Sequence, residues 1–226
     1  MNGRADQALQ TGLDINGGEE LTERQMDVLN AVLRLLVEEG DRLTMTAVAR
    51  QASCSKETLY KWFGDRDGLL TATVQWQASK VRVAPVDRAR LDMASLTASL
   101  ERFASDWLHV ISSDTSIALN RVAIAHAGEE KRNLGAIVLE NGRLAMGRRL
   151  KPVLLAGREA GLLAFDDDEQ AFRTFFGLVA RDVQIRLLLG DRVKPTDAEI
   201  GRDAAEATRQ FLALYGAQTG AATAGL

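Results

Sequence analysis

Apolar residues recur at helical spacing along most of this chain, and only three prolines fall among its 226 residues, so little stops a helix once it has started. Ala, Leu, Arg and Glu dominate and aromatics are 5%, a composition of residues that lose little side-chain freedom in a helix. An all-α fold is predicted. Many of the 19 glycines lie in the first 20 residues, at the C-terminal end or just past apolar runs, where helices stop.

Several classes of function are excluded at this level. With Cys54 as the single cysteine no internal disulfide forms, and neither it nor His109 and His126 stands at metal-ligand spacing. No metal, cofactor or catalytic residue is predicted, because the chain also lacks a P-loop, a dinucleotide fingerprint and a nucleophile elbow. No apolar run reaches membrane-spanning length, and residues 1–20 lack the basic start and apolar centre of an export signal, so a cytoplasmic, non-membrane protein is expected. The formal charge of −3 means that any binding of a polyanion must come from a local feature.

Element boundaries follow from capping chemistry. Thr22 and Gln25 form a capping-box pattern ahead of Leu29, Val32, Leu33, Leu36 and Val37, and Gly40 closes that helix. Thr44 caps a short helix to about residue 52, Ser55 caps a third, and a fourth runs from Arg66 to about Val81. Pro85 marks a junction between a head, 21–84, and a body, 85–216, with tails at 1–20 and 217–226 expected to be mobile. Body helices are expected over about 89–111, 115–127, 130–160 with a kink near Pro152, 167–189 and 197–215. Asp166 with Glu169 and Thr196 with Glu199 open the last two.

The most specific segment is TMTAVARQASCSKETLYKWFGDRDGLL, residues 44–70. It has the pattern of a helix-turn-helix: two short helices, a tight polar turn at Ser53–Ser55, and a second helix with one apolar face. Leu59, Trp62 and Phe63 are the expected buried anchors, which turns Lys56, Glu57, Thr58 and Lys61 outward as candidate readers of base edges. Charge agrees: from Arg42 to Arg66 there are five basic residues and two acids, while the preceding helix is acidic.

This segment resembles the head of the tetracycline-repressor (TetR) family. Val48-Ala49 match its hydrophobic-Ala pair, Ala52-Ser53-Cys54-Ser55 its turn, Thr58-Leu59-Tyr60 its recognition core, Trp62-Phe63 its aromatic site, and Arg66 the usual Lys. The resemblance covers about residues 22–80 and departs at Ser53, where glycine is usual. It implies that Thr44, Ser55, Tyr60 and Arg66 grip phosphates, with Thr46 a further contact, on double-stranded operator DNA. It also implies a homodimer built through about 167–189 and 197–215, and a helical body that binds a small-molecule effector. Residues 120–142 look like the family subgroup with an Arg-hydrophobic-Ala segment before a long seventh helix.

The fold expected is thus a three-helix helix-turn-helix head joined by a linking helix to a helical-bundle ligand-binding and dimerisation domain. Candidate cavity residues are Phe103, Trp107, Arg121 and His126 on the earlier body helices, and Asn141, Met146 and Phe176 on the later ones. The function expected is a repressor released from a palindromic operator by its effector. The alternative is a helical protein-interaction regulator without a small-molecule ligand.

Overall fold

The computed structural model describes residues 21–40, 43–83, 87–128, 134–192 and 194–217, and they are almost entirely helical. Of the tails expected to be mobile, 1–20 and 217–226, all but Ala217 lie outside the described residues, as do Arg42 and the junction residue Pro85.

Three helices make the head: α1 (Glu23–Glu39), α2 (Met45–Gln51) and α3 (Lys56–Phe63). Side-chain oxygens cap each of them. Thr22 accepts from the Gln25 N–H and Gln25 reciprocates, Thr44 accepts from the Ala47 N–H, and Ser55 accepts from the Thr58 N–H. Gly40 then ends α1 at φ 61°. Helix α4 (Arg66–Ala78) is capped by Asp65, whose carboxylate accepts from the Gly68 N–H.

The body comprises α5 (Met93–Ser112), α6 (Asp114–Ala125), a rod formed by α7 (Leu134–Val138), a π-helical stretch Leu139–Leu144 and α8 (Ala145–Glu159), then α9 (Asp168–Ala180), α10 (Val183–Leu188) and α11 (Asp197–Tyr215). Phe172, Phe175 and Phe211 are fully buried between α5, α8, α9 and α11, with Phe175 and Phe211 edge to face at 5.1 Å. A second core joins Leu29, Leu36, Leu59 and Phe63 of the head to Leu119 and Val122 of α6 and to Leu134 and Ile137 of α7. Helix α4 belongs to both: Leu69, Leu70 and Val74 pack in the head-side core, and Ala78 in the body core.

Four boundaries differ from the sequence expectation, each for a local reason. Helix α4 ends at Ala78, not Val81, because the Arg149 guanidinium takes the Ala78 carbonyl at 2.7 Å and a turn follows. Helix α5 starts at Met93, where Asp92 and Ser95 form a capping box. The irregularity expected at Pro152 lies earlier: α8 runs through Pro152, and the departure is the π-helical stretch. There side chains serve carbonyls, the Asn141 amide donating to Ile137 O at 3.0 Å and Arg148 to Glu140 O at 2.9 Å. The expected helix 167–189 is broken at Arg181, which has φ 41° and pairs with Asp203 of α11 at 3.5 Å; its cap is Asp167, not Asp166.

One glycine sets how α3 meets α4. A Cβ on Gly68 would stand 2.0 Å from the Phe63 carbonyl oxygen, a backbone atom that cannot yield cheaply. Gly68→Ala is expected to destabilise the protein by about 2–4 kcal/mol through the forced separation of these helices. Chemical denaturation checks this, and an unchanged midpoint contradicts the close approach.

Candidate nucleic-acid interface and adjoining cavity

Helix α3 buries Leu59 fully and Phe63 nearly so, which fixes its opposite face in solvent. Lys56, Glu57, Tyr60 and Lys61 are exposed along that face and Thr58 is half-buried beside them. Tyr60 is 51% exposed, with its ring in solvent beside Lys56 and Lys61 of the same helix. Trp62, expected as a buried anchor, is half-buried and stands edge-on to Phe63 at 6.2 Å. Thr44, Thr46 and Ser55 are exposed at the starts of α2 and α3, where free N–H groups and the helix dipole favour an anion such as phosphate. Arg66 is half-buried at the start of α4, 3.9 Å from Asp67. The carboxyl of Glu57 is held below its ordinary range by a backbone N–H at its own position and by the Ser55 hydroxyl, so it stays ionised and can only accept hydrogen bonds.

The turn between α2 and α3 is left-handed at Ser53, φ 50°, the position at which a side chain raises the energy. It is held from the far side of the head. The Arg24 guanidinium of α1 donates to Ala52 O at 2.5 Å and Ser53 O at 2.9 Å, and the Cys54 N–H donates to Ala49 O at 2.9 Å. Arg24 is therefore a positioning residue for the recognition helix.

Behind the head, α4, α5, α6, the π-helical stretch and α9 enclose a cavity of about 310 Å³. Its wall is mainly apolar, with Val74, Ile111, Leu119, Trp107, Met146 and Phe176, and its polar groups include Gln77, Ser116, Asn120 and Arg143. Gln77 is buried with its amide engaged at both ends: it donates to the Ser113 and Thr115 hydroxyls, each at 3.0 Å, and accepts from Lys80 Nζ at 2.8 Å. Burial lowers the pKa of Lys80. Among the described residues no cluster suited to a metal ion occurs, and no helix is long and apolar enough to cross a membrane.

The model of the AefR-like transcriptional repressor C-terminal domain matches residues 98–217. A TetR transcriptional regulator from Agrobacterium tumefaciens is 46% identical, with 88% of this chain and 97% of that chain covered and a TM-score of 0.75. The chain belongs to the TetR family. It is a transcriptional regulator and not an enzyme, with the family's DNA-binding head on an all-helical body. The flavonoid-responsive regulator FrrA is 27% identical with a TM-score of 0.63, over 86% of this chain and 98% of that one. A TetR-family regulator from Mesorhizobium loti shares the fold at 23% identity, with a TM-score of 0.70 and 87% and 100% covered. No curated protein sequence matches the chain.

Within this TetR-family frame the head candidates are exposed or half-buried on α2, α3 and the start of α4, and the body candidates are dispersed. Trp107, Met146 and Phe176 line the cavity. Phe103 is buried against Trp107 and Phe175, at 5.6 and 6.2 Å. Arg121 reaches the other way, donating to Leu187 O at 2.8 Å and Leu188 O at 3.1 Å, so that it closes the C-terminus of α10. Asn141 joins the rod to α4 by accepting from Gln75 Nε2 at 3.0 Å. His126 caps α6. The sequence reading passed over Arg24, Gly68 and Arg143. Only for Arg143 was a signal present, since Leu139, Arg143 and Met146 share helical spacing and all three line the cavity.

Ser53→Gly removes the left-handed strain while the Arg24 bond to the carbonyl remains, and is expected to stabilise the protein by about 0.5–1 kcal/mol, less the backbone entropy of glycine. A thermal melt reads this as a rise of a few degrees. A lowered melting temperature contradicts strain at the turn.

Proposed function

We propose that this chain is a cytoplasmic homodimeric repressor that binds a palindromic operator through α3 and is released by a small-molecule effector in the cavity behind α4. On this reading residues 21–84 act as the DNA-binding domain, with Thr44, Thr46, Ser55, Tyr60 and Arg66 on phosphates and Lys56, Glu57, Thr58 and Lys61 at base edges. Residues 85–216 act as the ligand-binding and dimerisation domain.

The observation that carries the reading is the position of α4. Its first turn holds Arg66 and rests on the recognition helix, and its last turns place Val74, Gln77 and Ala78 in the cavity wall. An occupant that prefers one placement of α4 thereby alters the seat of α3, the differential contact that coupling between two sites requires. The flavonoid-responsive relative supports a small-molecule signal.

Dimerisation draws support from the outward faces of α9 and α11. Their large apolar residues Phe172, Phe175, Val179 and Phe211 fill the protomer's own core, whereas Gly177, Gly201, Ala205 and Leu214 face outward. Small outward residues let two backbones approach closely, and a palindromic operator calls for a two-fold symmetric reader.

The test is fluorescence anisotropy of the full-length protein on duplexes from around its own gene, with a Tyr60→Ala/Lys61→Ala variant alongside. The reading predicts specific binding that weakens steeply from about 50 to about 200 mM salt and falls about a hundredfold or more in the variant. Equal affinity of a folded variant and the wild type overturns the assignment of α3 as the reading helix.

A further inference from the structure

Among the described residues Arg143 is the one charged side chain in the cavity wall, with no carboxylate beside it there. It sits in the π-helical stretch, half-buried, with its guanidinium carbon 4.7 Å from the ring centre of Phe176 and 4.9 Å from that of Phe172. The guanidinium lies against both rings and its N–H groups, the part that grips an anion, have no acceptor: among the described residues Arg143 makes no hydrogen bond or ion pair. Its neighbours are used differently, Arg148 on Glu140 at 2.7 Å and Arg149 on backbone carbonyls. The adjacent ring carries a second unengaged donor. Trp107, edge-on to Phe176 at 4.9 Å, is buried and its indole Nε1–H has no partner.

A half-buried guanidinium in a mainly apolar chamber whose other polar groups are uncharged complements a single negative charge. A dianion such as a phosphate monoester would keep one charge uncompensated against Val74, Ile111 and Leu119. We propose that the cavity takes an amphipathic organic monoacid, its carboxylate in a fork with Arg143 and its apolar body along Trp107, Phe176 and the inner face of α4. This rests on the cavity being the effector site and adds the ligand class and the residue that selects it.

The test uses full-length protein and displacement of the neutral fluorophore N-phenyl-1-naphthylamine by naphthoate and decanoate, each compared with its uncharged amide. The acids are expected to displace the fluorophore at concentrations about tenfold or more below those of the amides. That preference is lost in Arg143→Gln and partly kept in Arg143→Lys, with melting curves confirming that both variants fold. If Arg143→Gln does not fold, the wild-type acid-to-amide ratio and its reduction in Arg143→Lys decide. Amides that match the acids on wild type, or an acid preference that survives intact in the folded variants, overturn the monoacid assignment while leaving the cavity as an effector site for neutral ligands. Failure of the wild type to bind the fluorophore removes the cavity reading itself.

Discussion

Helix α4 is the constraint on which the rest of the molecule depends, because one short helix completes two cores. Leu69, Leu70 and Val74 close the core beneath the recognition helix, while Ala78 enters the core of the body. Polar contacts fix its register: Trp76 Nε1 donates to Asn30 of α1 at 3.0 Å, Gln75 to Asn141, Gln77 to the start of α6, and Arg149 closes its C-terminus. A helix held this way moves as a body or stays still. Packed interiors pass between discrete arrangements instead of deforming smoothly, and the proposed release from DNA rests on a shift at the cavity being passed to the head in this way.

The head itself is economical. Two short helices have too few backbone hydrogen bonds to stand alone, and they persist because side-chain caps, a buried face and the brace from Arg24 act on the same turn. Tertiary contacts hold Ser53 in a backbone region that its own chemistry disfavours. Stability sits on the inner side of α3, and its outer side is left free for residues chosen by what they bind.

How much of this was legible in the sequence follows the range of each signal. Capping residues act within three positions, so Thr22, Thr44, Ser55 and Thr196 marked their helices correctly. The exposed face of α3 was legible for the same reason, since Leu59 and Phe63 lie one turn apart on a helix and define its inner side. The break at Arg181 was not, because a left-handed residue there is normally a glycine and the tie that accompanies it, to Asp203 of α11, is distant in sequence. Arg24 acts across 28 residues of sequence and Gly68 against a carbonyl of the preceding helix, relations that no local pattern encodes. In the body, periodicity shows that a helix has an apolar face but not which neighbour covers it. Phe103 and Trp107 therefore look equivalent in sequence, although one fills the core and the other lines the cavity.

The most direct test of the coupling through α4 fills the cavity without any ligand. Val110 lies in the cavity wall and is only partly buried, so Val110→Trp occupies that space from α5 while leaving α3 and the proposed DNA-contacting residues unaltered. The measurement is the affinity of the full-length variant for a duplex bound by the wild type, at fixed salt, with melting curves to establish that both are folded. The account predicts a several-fold weaker affinity for the variant at comparable stability. An unchanged affinity in a folded variant would contradict the claim that the cavity and the recognition helix share one moving part.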